Sequence, residues 1–307
     1  MTIALFFPGQ GSQSQGMLSE FALQYEDVQA TFAEASDLLG YDLWALVQDG
    51  PAEELDNTVV TQPAMLAAGV ATWRVWRSAG GAMPGYMAGH SLGEYTALVC
   101  SGSLAFADAV PLVRQRAEFM QDAVPAGEGA MAAIIGLEDD LVREVCATAG
   151  QGEVVSAVNF NSPGQVVIAG DKNAVERAAE GAKEAGAKRA LLLNVSVPSH
   201  CVLMNPAADK LSALLADTDF ATPSVPVINN VDVAVYQDAD EIRNGLERQL
   251  CNPVRWAETV KYLVAHGVDK LIEAGPGRVL AGLCRRIDRS VPAFGLDSPG
   301  NLEKALQ

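Results

Sequence analysis

Five residues, Gly89-His90-Ser91-Leu92-Gly93, limit the folds open to this chain more than any other stretch. They match G-x-S-x-G, a serine set on a sharp turn between a strand and a helix. Tyr86-Met87-Ala88 before them has the look of a strand end, and Glu94-Tyr95-Thr96-Ala97-Leu98-Val99-Cys100 after them that of a helix. The flanking positions must be small, because a side chain there would clash inside the turn. Such a turn lifts the hydroxyl over the N-terminus of the next helix, where free N–H groups and a partial positive charge suit an oxyanion. Ser91 is therefore a candidate nucleophile. A plain Gly/Ser-rich turn gives the same five letters, so the rest of the chain has to decide.

Composition narrows the classes. At 307 residues, 49% hydrophobic and 19% charged, the chain is expected to be a soluble globular protein with one large domain or a main domain and an insert. No run approaches the roughly 18 unbroken apolar residues of a membrane span. Met1-Thr2-Ile3-Ala4-Leu5-Phe6-Phe7 has no basic region and stops at Pro8-Gly9, so a first buried strand is expected rather than a signal peptide. Cys100, Cys146, Cys201, Cys251 and Cys284 are scattered, odd in number and without metal-ligand spacing. That pattern points to a reducing cytoplasm, with no disulfide framework and no metal site. The net charge of −17 argues against a nucleic-acid partner. Any anionic substrate must be held by a few local cations against the overall field.

Residues 3–7 are expected to be a strand, followed by the Gly-rich loop Pro8-Gly9-Gln10-Gly11-Ser12-Gln13 and a helix near Met17. Glycines on both sides of Gln10 allow a tight turn with N–H groups aimed into a site. The loop lacks G-K-[ST], so it is no phosphate loop, and a simple connecting turn stays open. Helical segments follow to residue 60, broken at Gly40 and Asp49-Gly50-Pro51. Thr61-Gln62-Pro63 is expected to open a helix that ends at Gly80-Gly81, with Pro63 in the first helical position. A further helix is expected from Asp108, as N-cap, to about Ala123, with Pro111 tolerated in its first turn. Its Leu112, Val113, Ala117 and Met120 share one face, and Arg116 falls within that stripe. An arginine on an apolar face is costly unless it meets an anion. The anion can be an internal carboxylate or that of a substrate, and a snorkelling side chain is the third option.

From Ala130 the spacing changes. Met131–Leu137, Val154–Asn159, Gln165–Ala169 and Ala190–Val195 suit strands, with helices over Asp139–Thr148 and Asn173–Ala185 and a turn at Asn161-Ser162-Pro163-Gly164. The order β-α-β-β-α-β is the ferredoxin-like signature. It predicts a small subdomain at residues 125–197 inserted into a core made of 1–124 and 198–307. Beyond it, 225–230 suits a strand and loop, Leu246–Leu250 a helix end, and Pro253 to His266 another helix. Lys270–Ala274 suits a strand and Val279–Ile287 a helix after the turn Gly275-Pro276-Gly277. The class is α/β with a mostly parallel sheet. Of three histidines, His90 diverges from Ser91 as its neighbour and suits scaffold, and His266 suits a helix cap. His200 sits at a break between elements, so by elimination it is the candidate base, a structural loop histidine being the alternative.

Several stretches, taken together and in order, resemble one family. They are Phe7-Pro8-Gly9-Gln10-Gly11-Ser12-Gln13, Thr61-Gln62-Pro63-Ala64, the elbow with Glu94-Tyr95, and Leu112 to Gln121 around Arg116. Asn159 to Gln165, Ser196-Val197-Pro198-Ser199-His200, Gln249-Leu250 with Pro253-Val254-Arg255-Trp256, and Glu273-Ala274-Gly275-Pro276-Gly277 complete the set. The family is that of the malonyl-CoA:acyl carrier protein transacylases of bacterial type II fatty-acid synthesis, and the likeness covers nearly the whole chain. It implies a hydrolase-like α/β core with the ferredoxin-like insert, the site lying in the cleft between them. It implies Ser91 as nucleophile, His200 as general base, the backbone N–H groups of Gln10 and Leu92 as oxyanion hole, and Arg116 as the malonyl-carboxylate ligand. The main-chain carbonyl of Gln249 would orient His200, and Gln62, Asn161 and Gln165 would line the cleft. Ala117 departs from the glycine common there, which touches only fine packing, and Ser199 fits the discrete bacterial enzymes.

The resemblance further implies a ping-pong transfer through a malonyl-serine ester, with malonyl-CoA and holo acyl carrier protein as substrates and no other cofactor. An acidic carrier protein would need a local basic patch. Lys183, Lys188 and Arg189 are one candidate, and Arg285, Arg286 and Arg289 another, solvated surface charge being the alternative for both. A serine thioesterase, an acyltransferase of a polyketide pathway and a silent scaffold remain as competing functions.

Overall fold

The apolar run Ile3–Phe7 forms strand β1, buried along its whole length, as a strand covered on both faces has to be. In the computed structural model, which describes residues 2–193, 195 and 197–307, β1 is the middle of a five-stranded sheet. Its partners are β2 (Tyr86–Gly89), β7 (Val227–Ile228), β8 (Lys270–Glu273) and β9 (Ala293–Gly295), in the order β7-β2-β1-β8-β9, every pair parallel. Side chains alternate across a strand. Ile3, Leu5 and Phe7 accordingly enter a core under the helices Thr58–Ser78 and Phe106–Ala123, while Ala4 and Phe6 enter a second core with Trp256 and Leu280. Phe6 meets Trp256 edge-on at 4.9 Å.

The four strands between form the second sheet: β3 (Gly129–Ile135), β4 (Val155–Ser162), β5 (Gln165–Asp171) and β6 (Arg189–Leu192). Its order is β4-β5-β3-β6, antiparallel throughout. That is the ferredoxin-like arrangement, and the sheet has its own core. Ala174, Val175, Ala178 and Ala182 of the helix Lys172–Glu184, with Val142 and Cys146 of Asp139–Gly150, cluster with Ile134, Val166 and Ile168.

Several boundaries moved. The helix expected at Thr61 begins at Thr58, capped by Asn57, whose Oδ1 accepts from the Val59 N–H at 3.0 Å. Pro63 therefore lies inside it, not at its first position. The helix ends as foreseen near Gly80, which takes φ 86 while Gly81 N–H donates to Trp76 C=O at 2.8 Å. Asp108 is not an N-cap: its helix starts at Phe106, after Ala105, and Pro111 also lies inside. β4 continues to Ser162, which shortens the turn to Pro163-Gly164. The helix expected at Pro253 begins only at Trp256, because Val254 is bound to β4. Its N–H donates to Val158 C=O at 2.8 Å and its C=O accepts from Phe160 N–H at 3.0 Å, tying the two sheets together. β6 stops at Leu192, and Asn194 and Ser196 of the expected strand and motif lie outside the described residues.

Among the described residues no helix is long and apolar enough to cross a membrane. The five cysteines are free thiols.

Candidate active site

The elbow sits where β2 meets the helix Gly93–Cys100, with Ser91 in the left-handed region at φ 53. Its glycines are steric necessities. A Cβ on Gly89 would lie 1.8 Å from the Gly93 carbonyl carbon, and one on Gly93 would lie 2.0 Å from the Phe7 carbonyl oxygen. The loop after β1 presses equally close, since a Cβ on Gly9 would lie 2.5 Å from the His90 carbonyl oxygen. That loop brings Gln10 to the serine. Among the described residues neither the Gln10 nor the Leu92 backbone N–H has an acceptor, so both remain free to donate.

His200 is buried, at φ 66, with Nε2 2.8 Å from Ser91 Oγ and Nδ1 2.8 Å from the Gln249 carbonyl oxygen. A carbonyl can only accept, so Nδ1 carries the proton and Nε2 offers its lone pair to the serine hydroxyl. Burial, reinforced by the Arg116 charge, pushes the His200 pKa down to about 3, and the ring is neutral when it has to accept a proton. Among the described residues no carboxylate is hydrogen-bonded to its ring.

Arg116 is 1% exposed. Nη1 donates to Gln62 Oε1 at 2.8 Å, Nη2 to Gln249 Oε1 at 3.1 Å and, at 3.5 Å, to Ser91 Oγ. The guanidinium lies 5.4 Å from the centre of the Tyr95 ring. Its Nε has no partner, and no carboxylate among the described residues comes within ion-pair distance. Burial pushes its pKa down, with Tyr95 and Glu94 acting against that. An arginine stays charged even so.

These groups open on a cavity of about 100 Å³. One wall comes from the large sheet and its helices (Ser91, Arg116, Met120) and the other from the small sheet and its continuation (Met131, Asn159, Leu193), with Gln62 and Ser199 also lining it. A larger hollow of about 660 Å³ beside Ser36, Tyr41 and Trp44 contains no serine–histidine pair. Among the described residues no group of three or more His, Cys, Asp or Glu side chains is placed to hold a metal ion.

Two expected cleft residues are not among those that line this cavity. Asn161 turns its Oδ1 to His90 Nε2 at 2.8 Å and supports that ring, while its neighbour Asn159 lines the cavity. Gln165 accepts from Arg286 Nη1 at 2.8 Å and is not among the residues lining the cavity. His90 also packs against Trp256, with 5.7 Å between ring centres, as scaffold. His266 caps its helix, Nδ1 2.7 Å from Tyr262 C=O.

Sequence reasoning passed over Glu94 and Asn230. Glu94 lies in a helix buried on nearly every side, and burial raises its pKa to about 7. Its signal was a charge inside an otherwise apolar run. Asn230 is wholly buried, and its Oδ1 accepts from Ser91 N–H at 2.7 Å. Nothing local distinguished it from a loop asparagine.

The acyl transferase domain family matches residues 5–291. A malonyl CoA-acyl carrier protein transacylase from Salmonella typhimurium is 61% identical over 99% of this chain and 98% of its own length. One from Escherichia coli K12 is 60% identical over the same shares. Among solved structures, an acyl carrier protein S-malonyltransferase from Vibrio cholerae superposes with TM-score 0.96 at 59% identity, covering 99% of both chains. A malonyl-transacylase in complex with its type II polyketide synthase acyl-carrier protein superposes with TM-score 0.99 at 57% identity, covering 100% of this chain and 99% of that one. The chain belongs to the acyl transferase family, among the malonyl CoA-acyl carrier protein transacylases.

Proposed function

We propose that this chain moves a malonyl group from malonyl-CoA to the phosphopantetheine thiol of an acyl carrier protein, in the cytoplasm, for fatty-acid synthesis. The observation that carries this is Arg116, a buried cation with no carboxylate within ion-pair distance among the described residues, and within 3.5 Å of the nucleophile in a cavity of about 100 Å³. A malonyl carboxylate supplies the missing anion. The small subdomain, residues 125–197, forms the second wall of the cleft.

Ser91 Oγ attacks the thioester carbonyl while its proton passes to His200 Nε2. The carbonyl oxygen becomes an oxyanion facing the free N–H groups of Gln10 and Leu92. Its collapse breaks the C–S bond, and His200 returns the proton to the departing coenzyme A sulfur. The second half runs in reverse. His200 takes the proton of the carrier-protein thiol, whose sulfur attacks the malonyl-serine ester, and Ser91 leaves with the proton. Intact mass measurement after mixing with malonyl-CoA is expected to show one malonyl group on Ser91, discharged by holo carrier protein. No adduct, or one that water removes as fast without carrier protein, would overturn the proposal, the latter in favour of a thioesterase. The likeness to a transacylase paired with a polyketide carrier supports a second reading, transfer to a polyketide carrier protein. Comparing discharge by the two kinds of carrier separates them.

Lys188 and Arg189 are exposed, at the start of β6. The chain continues to Leu193 in the cavity wall, about 13 Å further along at strand rise. We take this exposed pair as the docking patch for an acidic carrier protein. Reversing both charges (Lys188→Glu with Arg189→Glu) is expected to raise the KM for carrier protein about 10-fold at low salt and to flatten its salt dependence. Unchanged KM and salt dependence would remove the patch and leave Arg285, Arg286 and Arg289.

A further inference from the structure

Ser91 occupies the left-handed region, φ 53, which a residue with a side chain adopts only when its surroundings compel it. Two buried amides hold the peptide groups on either side of it. Ser91 N–H donates to Asn230 Oδ1 at 2.7 Å, and Ser91 C=O accepts from Gln249 Nε2 at 3.1 Å. Asn230 Nδ2 also donates to Gly89 C=O at 2.7 Å, so this one amide spans the strand side of the elbow. Because Gly89 C=O can only accept, that bond settles which end of the Asn230 amide is oxygen.

Glu94 joins the two arms. Its Oε2 accepts from Gln249 Nε2 at 2.8 Å and from the Asn230 backbone N–H at 2.9 Å. With Nε2 so engaged, Gln249 turns its Oε1 to Arg116. Asn230 and Gln249 are wholly buried and Glu94 nearly so, which leaves no room for water to replace a lost partner. The residues come from three places, the loop after β7, the end of the helix Ala239–Gln249 and the elbow helix, and they converge on one serine.

We propose that Asn230 and the Gln249 side chain, oriented by Glu94, are positioning residues that clamp both peptide groups of Ser91 and so aim its hydroxyl at His200. This role is separate from the Gln249 main-chain contact with His200, and it rests on Ser91 being the acylated nucleophile. A slack elbow lets the hydroxyl swing away from the 2.8 Å contact, and reacting groups tolerate little misplacement.

The test is single-turnover acylation by malonyl-CoA, read by intact mass as the fraction of chains acylated and the rate constant, in Asn230→Ala and Asn230→Asp. The alanine variant is expected to be acylated to the wild-type fraction but about 10- to 100-fold more slowly. The aspartate variant keeps an acceptor for Ser91 N–H, loses the donor to Gly89 C=O and places a second carboxylate beside Glu94. It is expected to be about 10-fold slower, and it decides the matter alone if the alanine variant does not fold. A smaller acylated fraction reacting at the wild-type rate marks a merely structural role and overturns the clamp, as does a wild-type rate at full amplitude. A wild-type chain that gains no malonyl mass on Ser91 overturns the acyl-enzyme and the clamp together.

Discussion

His200→Ala is expected to slow acylation of Ser91 by malonyl-CoA about 10⁴-fold while leaving the fold intact. A serine hydroxyl is a weak nucleophile, and Nε2 at 2.8 Å is the base within reach of it. The oxyanion donors are backbone groups and survive the change, so a residual rate above that of water remains. The protonation state can be tested separately. An ordinary histidine titrates near 6.5, whereas burial and the Arg116 charge hold His200 at about 3. The folded pKa is lowered, so the neutral base persists as the pH falls through the ordinary value. Ring resonances of His200 are expected to stay those of a neutral imidazole from about pH 8 to about pH 5. Malonylation of Ser91 is expected to bring a carboxylate to Arg116, offset that charge and raise the pKa. A ring titrating near 6.5 in the free chain, or an alanine variant acylated at the wild-type rate, would remove His200 as the base.

The parts legible in the sequence were those that geometry imposes locally. Gly89 and Gly93 had to be glycine because backbone from β1 and from the elbow helix fills the space of a Cβ, and such necessity leaves a motif. Arg116 stood out because a helical stripe of Leu112, Val113, Ala117 and Met120 has no reason to include a cation. His200 needed elimination among three histidines, since a loop residue has no period. Asn230 and Glu94 act through contacts 139 and 136 residues apart in the chain, and no local pattern records those. The error at Pro253 has the same origin. A proline before a helical run suits a helix start, but long-range pairing with β4 holds Val254 extended. The early start of the helix at Thr58 shows the weakness of a proline as a boundary marker, and that at Phe106 the weakness of an aspartate as a cap marker. The resemblance placed Asn161 and Gln165 in the cleft as neighbours of a conspicuous motif. On a regular strand residues two apart share a face, but the register of β4 against β5 shifts between Phe160 and Ser162, and it is Asn159, not Asn161, that lines the cavity.

Arg116→Ala is expected to lower kcat/KM for malonyl-CoA about 10³-fold and to collapse the preference for malonyl over acetyl. The guanidinium has five N–H groups. Gln62 and Gln249 each take one at short range, a third reaches Ser91 Oγ only at 3.5 Å, and Nε has no partner. A malonyl carboxylate can accept from those that remain and cancel a charge otherwise facing only neutral acceptors. An acetyl group in the same cavity offers that cation nothing, so it is expected to be refused by the cost of leaving a buried charge unpaired. Alanine removes both effects at once, so malonyl loses its anchor while acetyl loses its obstacle. Arg116→Lys keeps a charge but not the planar fork that Gln62 and Gln249 hold, and is expected to restore only part of the malonyl rate. The measurement is kcat/KM for malonyl-CoA and acetyl-CoA on wild type and both variants. An alanine variant that keeps the full malonyl preference would show that the acid group is recognised elsewhere.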